Sequence, residues 1–429
     1  MGSFEMIKIS ELISSGEAIL QTGPFGTQLK ASDYVEDGIP VINVRNVGFG
    51  NIKQNDLEYL DEKMVVKLSI HQLQKGDIVF GRKGAVERHA FINDIGDGWI
   101  QGSDCLRLRI QSERINNRFI SYFFRTKAHQ DWMMALCSFG ATMASLNQDI
   151  VKLITIPLPP IKVQDKIAAI LSAYDDLIEN NKRRIALLEK MAEEIYREWF
   201  VRFRFPGYQT AEFEKGIPKG WHYEKLENLC EQIQRGISPK YSEESTRLVI
   251  NQKCIRDERI DLSEARHHDS KVASNKYIRF GDALINSTGV GTLGRVAIVE
   301  FHPEKITVDS HVTICRADPR KIDPIYLATT ALKLKNYFEF MAAGSTGQVE
   351  LNRSLIAGIK IIVPPKDLME EFSKQIVHVF KQKQVLFETN DNLVKTKNML
   401  LPRLISGKLS VEHLDIQFPP SMQDAKSTH

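Results

Sequence analysis

Cationic side chains gather at two places in the chain: Arg82, Lys83, Arg88 and His89, and then Arg202 and Arg204. Guanidinium and ammonium groups so clustered can neutralise phosphate, and an arginine can also grip guanine through two parallel donors. Other groupings suggest chemistry and fall short of it. Gly289-Val290-Gly291-Thr292-Leu293-Gly294 has the spacing of a dinucleotide-binding loop. That loop must lie between a strand and a helix whose N-terminus takes the phosphates. Here Arg295-Val296-Ala297-Ile298-Val299 follows, a strand-like run, so the glycines are expected at a hairpin tip. The corresponding Gly84-Ala85-Val86-Glu87-Arg88 lacks two of the glycines. His267-His268 has no further ligands at metal spacing. Asp104 and Asp309 occupy matching positions, but no partner acids recur around them, which favours a structural role over metal-dependent cleavage.

Amino-methyltransferases that flip a base place Asn or Asp before a Pro-Pro pair and an aromatic after it. Leu158-Pro159-Pro160 and Val363-Pro364-Pro365 have neither, so methylation by this chain itself is not expected. The five cysteines form no CxxC pair, consistent with reduced thiols. Net charge is only +3, so any nucleic-acid contact must come from local patches rather than a uniformly basic surface. No apolar run approaches the roughly 18 residues of a membrane span and no signal peptide opens the chain. A cytoplasmic protein that carries no cofactor of its own is expected.

The elements that would hold these residues occur twice. Gly76-Asp77 and Gly281-Asp282 open strand-like runs about 205 residues apart. At the same offset Ser145-Leu146-Asn147 and Glu350-Leu351-Asn352 lead into the two proline pairs. A period this long marks two copies of a domain rather than a solenoid. Many short strands with one or two helices predict an α+β module used twice.

A long helix follows each copy. Between Val163 and Trp199 there is no Gly or Pro, and Ile167, Tyr174, Asn181, Leu188 and Ile195 recur every seven residues, with Ile170, Leu177 and Met191 assigned to the same seam. Such a helix would span roughly 55 Å. Asn181 at a core heptad position would fix register. Phe372, Ile376, Val379, Phe380, Leu386, Asn390 and Leu400 define the second helix, and Arg184, Lys383 and Lys397 are assigned to the seams as polar members. Each helix alone leaves an apolar stripe in water, so the two are expected to pair as an antiparallel coiled coil, relating the copies by a pseudo-two-fold axis.

At this point the chain resembles the DNA-specificity subunit of type I restriction–modification systems, over essentially its whole length. The resemblance rests on Gln21-Thr22-Gly23-Pro24-Phe25-Gly26, Arg197-Glu198-Trp199-Phe200-Val201-Arg202-Phe203, Gly236-Ile237-Ser238-Pro239-Lys240-Tyr241 and the closing Leu400-Leu401-Pro402-Arg403-Leu404-Ile405-Ser406-Gly407-Lys408-Leu409. It implies a non-catalytic subunit with two target-recognition domains, each reading one half of a split double-stranded DNA target. It also implies helices that set the gap and dock two methyltransferase subunits, which would carry S-adenosylmethionine and methylate adenine. Motor-nuclease restriction subunits would join them.

The expected organisation is a first recognition domain at 1–160, a central helix at 161–200, a linker at 201–220, a second recognition domain at 221–365, a C-terminal helix at 366–410 and a disordered tail at 411–429. Base reading needs Arg or Lys for guanine and Asn or Gln for adenine at loop tips. The candidates are Gln28, Lys30, Asn43, Arg45, Asn46, Arg82, Lys83 and Arg88 in the first copy. In the second they are Arg235, Lys240, Tyr241, Asn251, Lys253, Ser287, Thr288 and Arg295. Partner and helix-pairing candidates are Ile167, Tyr174, Leu177, Asn181, Leu188, Ile195, Ile376, Val379, Leu386 and Asn390. Two other readings are a methyltransferase or nuclease fragment using the same domains, which predicts activity from the isolated chain, and a scaffold that does not bind DNA, which predicts no sequence preference.

Overall fold

The structure is a computed structural model describing residues 4–138, 144–289, 291–343 and 350–423. The chain divides into two compact units, residues 1–180 with 389–429, and 181–388. Each long helix is therefore shared, its two halves falling in different units, which differs from the boundaries that treated the helices as segments of their own.

The first unit is built on a four-stranded antiparallel sheet. Ala18–Thr22 pairs with Cys105–Ile110, which pairs with Ile78–Gly81, which pairs with His89–Phe91. A short strand Ile39–Ile42 runs parallel to Ile100–Gln101, and Glu5–Lys8 pairs with Thr155–Leu158. The helix Asn117–Phe124 lays Phe119, Ile120, Tyr122 and Phe124 into the core, with the Phe124 ring 5.3 Å from Phe80. Asn116 caps it by accepting from the N–H groups of Arg118 and Phe119 at 3.0 Å, a contact worth about 1 kcal/mol.

The second unit repeats the plan. Cys230–Arg235, Val312–Ala317, Ala283–Asn286 and Val296–Ile298 form the same four-stranded order. Leu248–Ile250 runs parallel to Thr307–Val308, and His222–Lys225 pairs with Lys360–Val363. Asp323 caps the helix Pro324–Lys333, with proline at its first position, where no N–H is needed.

The repeated motifs of the sequence are the joints of this plan. Gly76 and Gly281 take φ of +95° and +84°, which favours glycine, and turn the chain into the hairpin strand. The aspartate that follows each anchors an arginine: Asp77 holds Arg109, and Asp282 holds Arg316. Asn147 and Asn352 each cap a short helix, accepting from Ile150 and Leu355 N–H at 2.9 and 3.0 Å. The prolines start the long helices, with Pro160 O accepting from the N–H of Val163 (2.8 Å) and Pro365 O from that of Met369 (3.2 Å).

The central helix runs Ile161–Tyr196 and the C-terminal helix Lys366–Ile405. In the first unit Val163, Ile167 and Leu171 share a core with Leu401, Leu404 and Ile405. In the second, Tyr196, Trp199 and Phe200 share one with Phe372, Ile376 and Phe380. Of the expected seam residues, Ile167, Asn181, Ile376, Val379 and Leu386 are buried, while Tyr174, Leu188, Ile195 and Asn390 are partly so. Leu177 and Met191 are corrections: they are 50% and 46% exposed. The residues buried in that row are Leu171, Ile178 and Ile185, one residue further on, and Arg184 lies exposed beside them. A heptad stripe can alternate by three or by four residues, and the row through Arg184 would have buried a cation without a partner.

The linker 201–220 is largely exposed, with Phe203 and Phe205 anchoring it at 5.5 and 5.2 Å from the Trp221 ring. The tail expected to be disordered from 411 is ordered through 423, while 424–429 lie outside the described residues. Val411 is buried, Lys166 donates to Glu412 O (2.7 Å), Arg118 donates to Ser421 O (2.8 Å), and the Ser421 N–H donates to Asp176 (3.1 Å).

Candidate nucleic-acid interface

The hairpin after Ile78–Gly81 carries the basic cluster of the first unit. Its backbone is held on both sides: the Arg82 N–H donates to Asp104 O (2.9 Å) and Arg82 O accepts from the Leu146 N–H (2.8 Å). Lys83 projects outward, its ammonium 3.2 Å from Asp104 Oδ1 with both side chains about half exposed. An ion pair in that setting is worth at most about 1 kcal/mol, so the lysine can trade its carboxylate for a phosphate at little cost. Arg88 lies over the exposed Phe49 ring at 5.1 Å, with Glu87 at 3.6 Å. An arginine stacked on a ring keeps its in-plane donors aimed outward.

A second loop follows the strand Ile39–Ile42. Arg45 reaches Asp56 O (2.9 Å) and Glu58 (3.1 Å) and stays half exposed. The Asn43 amide donates to Glu58 at 2.6 Å. Asn46 is a correction. It is fully buried, its amide donating to Lys53 O and Asn55 O at 3.0 Å while its oxygen accepts from the Asn43 N–H. It braces the loop and has no donor left for a base. Gln28 and Lys30 are exposed on the turn after Pro24.

In the second unit the matching hairpin carries different chemistry. Ser287 stands where Arg82 stands, accepting from the Leu351 N–H as Arg82 does from Leu146. It too is a correction: it is fully buried, its hydroxyl 2.6 Å from Thr313 Oγ1. Thr288 stands where Lys83 stands and lies 2.7 Å from Nδ1 of exposed His311. Arg295 donates to Gly291 O (2.7 Å) and so ties the glycine-rich turn 291–294 between two strands. That turn is a hairpin tip, as expected, with Val290 outside the described residues.

Around it, Arg235 pairs with Glu350. Tyr241 is exposed under the Arg266 guanidinium, 3.4 Å from its ring centre. Lys240 and Lys253 are exposed, and Asn251 caps its own turn through the Lys253 N–H while its amide donates to Glu264 O.

Phe49, His311 and Arg266 were missed as members of these surfaces. Nothing local marks Arg266: it meets Tyr241 only because Tyr241 bridges to His268 across the loop. Phe49 could have been found as an exposed aromatic beside a basic hairpin. The matching aspartates are structural. Asp104 faces Lys83, and Asp309, its carboxyl raised by burial, caps the His311 N–H at 2.9 Å. The Arg202 and Arg204 cluster is partly offset within the chain, since both reach the single carboxylate of Glu198. Among the described residues no group of three or more His, Cys, Asp or Glu is placed to hold a metal, and no helix is long and apolar enough to cross a membrane.

Each unit thus presents exposed cations and an aromatic platform on loops held by a rigid sheet, which is what phosphate positioning and base reading need. The family model of the type I restriction modification DNA specificity domain matches twice, at residues 25–190 and 218–397, one match for each copy. The chain is 26% identical over 379 residues to the MjaIX specificity subunit of Methanocaldococcus jannaschii, covering 83% of this chain and 82% of that one. It is 21% identical over 406 residues to the EcoKI specificity subunit of Escherichia coli, covering 89% and 85%. Its fold matches the crystal structure of the type I restriction–modification S subunit from M. genitalium with a TM-score of 0.59 at 14% identity, over 94% of this chain and 96% of that one. The chain belongs to the type I restriction–modification DNA specificity family, as the subunit that recognises DNA rather than one that cuts or methylates it.

Proposed function

We propose that the two recognition domains read the two halves of a bipartite DNA target, and that the long helices set the gap between the halves. The observation that carries this is the hairpin tip. The same sheet positions carry Arg82 and Lys83 in one copy and Ser287, which is buried, with Thr288 in the other. An Arg–Lys tip favours guanine, whereas a tip without a cation does not grip it, so the two halves are expected to differ in sequence. Antiparallel pairing of the helices is supported within each unit. Asp175 meets Lys397 in the first and Glu189 meets Lys383 in the second, so advancing along one helix goes with retreating along the other. Helices so paired form a coiled coil that presents opposed recognition domains with pseudo-two-fold symmetry.

The exposed side of that pair, which includes Leu177, Leu187 and Met191, is where two methyltransferase subunits dock. Those subunits carry S-adenosylmethionine and methylate adenine, and restriction subunits complete the assembly in the prokaryotic cytoplasm. The experiment is methylome sequencing of a host carrying this chain with its methyltransferase partner. A methylated adenine in a split motif of fixed gap is expected. A contiguous motif, or methylation that persists without this chain, would overturn the reading.

A further inference from the structure

Both units contain the same three-part charge contact, built from unrelated sequence positions. In the first, Asp175 of the central helix accepts from Lys397 Nζ of the C-terminal helix at 2.7 Å and from Arg125 Nη1 at 2.8 Å. Arg125 ends the domain helix Asn117–Phe124, donates to Gly50 O and lies over the Tyr122 ring at 4.4 Å. Tyr122 donates to the same aspartate at 2.8 Å. In the second unit, Glu189 of the central helix lies 3.3 Å from Lys383 Nζ of the C-terminal helix and 2.8 Å from Arg259 Nη2. Arg259 belongs to the domain hairpin Ile255–Ile260, and its guanidinium lies over the Phe387 ring at 4.4 Å. Lys383 also reaches Glu300 of the domain, at 3.0 Å.

Stability alone does not account for these contacts. The Lys383 side chain is only 6% exposed, and burying an ammonium costs several kcal/mol that the ion pair at best repays. An aliphatic residue at that seam position would hold the helices at least as well. Beside it lies a pocket of about 300 Å³ lined by Ala186, Glu193, Thr329 and Phe380 among others, so the helix–domain contact is not closed by apolar packing alone at this point. The charges are directional where the packing is loose. In both units the acid sits on the central helix, the lysine on the C-terminal helix and the arginine on the domain.

We propose that Lys397–Asp175–Arg125 and Lys383–Glu189–Arg259 are orientation keys, each fixing the angle at which a recognition domain is mounted on the helices of its own unit. The inference rests on the bipartite reading above. Adding one base pair to the gap turns a half-site by roughly 34°, and only a stiff mounting can refuse that rotation. The keys would therefore set how strictly gap length is enforced, while the loop tips set which bases are read.

The test uses the full chain and duplexes carrying its bipartite target with the gap shortened by one, unchanged, or lengthened by one base pair. Glu189→Gln and Asp175→Asn are the chosen variants, because the amide oxygen that replaces the carboxylate can still accept from Arg259 or Lys397, while Lys383 keeps Glu300 and Arg125 keeps Gly50 O. Arg259→Met removes the second key from the domain side. Fluorescence anisotropy should show each variant binding the unchanged duplex within about threefold of wild type, with its preference over the altered gaps reduced on the order of tenfold, the ratio given by about 1.4 kcal/mol of lost coupling. Discrimination among bases within each half should be retained. If the variants keep the full gap preference, or lose affinity equally for all three duplexes, the keys are structural contacts only and the proposal fails. If wild type itself ignores gap length, the bipartite reading fails first.

Discussion

Asp77 and Arg109 face each other across the first sheet through both carboxylate oxygens, Oδ1 to Nε and Oδ2 to Nη2, each at 2.7 Å. Asp282 and Arg316 repeat the contact in the second unit at 2.8 and 2.6 Å, and there both side chains are almost wholly buried. Burial raises the Asp282 carboxyl, and the Arg316 guanidinium pulls against it. Arg316→Ala strands that carboxylate and should destabilise the second unit by roughly 3–5 kcal/mol. The double substitution Asp282→Asn with Arg316→Met removes both charges and keeps an acceptor for the Arg279 N–H. It should lose less than the single change, read as the midpoint of urea unfolding.

Acid should weaken the first unit before carboxylates are protonated. His129 packs against Phe124 at 4.8 Å, and burial pushes its pKa down to about 4. His89 is fully buried, and burial likewise holds its pKa well below the usual histidine value. In both cases the folded pKa lies below the unfolded one, so the unfolded chain takes up the proton first as pH falls. The stabilisation is complete above the usual histidine value of about 6.5 and is lost progressively toward pH 4. For His129 it amounts to roughly 3 kcal/mol. Thermal unfolding across that window should show the loss, and His129→Phe should reduce it by the His129 share, leaving that of His89.

Gly236 is required for close approach. A Cβ there would lie 1.8 Å from the Val308 carbonyl oxygen, and at the matching Gly23 it would lie 2.0 Å from Gly102 O. Backbone cannot retreat as a flexible side chain can, so Gly236→Ala should cost at least about 3 kcal/mol. Gly358→Ala meets nothing nearer than Ser354 O at 3.4 Å and should be nearly silent. Hydrogen exchange in the strand Thr307–Val308 distinguishes the two.

Lys83 and Asn46 should separate binding from folding. Lys83→Ala is expected to weaken DNA binding across all sequences and to lower the slope of log affinity against log salt by about one. Arg82→Ala should weaken binding to the cognate duplex more than to unrelated DNA. Asn46→Ala should instead cost about 1–3 kcal/mol of stability through its two orphaned carbonyls, leaving the salt slope unchanged. A salt titration by anisotropy, run beside thermal unfolding, decides each case.

What the sequence made legible was whatever repeats. Gly76-Asp77 with Gly281-Asp282, and Asn147 with Asn352, are local devices, a turn, an anchor and a cap, and local devices leave the same residues in both copies. The seam of the central helix was readable only in part. Ile170 and Leu171 are both aliphatic, and choosing between them needed the observation that Arg184 falls in one row and Ile185 in the other. Asn46 and Ser287 could not be judged from residue type, because an asparagine that reads a base and one that braces a loop look alike until Lys53 O and Asn55 O are seen beside it. The ordered stretch 411–423 was missed for a related reason. Its partners Lys166, Arg118 and Asp176 are hundreds of residues away, and its own composition is polar.

Lys383, Asn390 and Lys397 stand seven residues apart on one helix. A helix with a seven-residue stripe has a near-perfect wrong partner: itself, displaced by one repeat. Aliphatic contacts would tolerate that displacement almost unchanged. The lysines would not. Sliding by seven residues moves each ammonium about 10 Å, taking Lys383 away from Glu189 and Glu300. The lysines along the stripe thus favour one register of the helices over its neighbours.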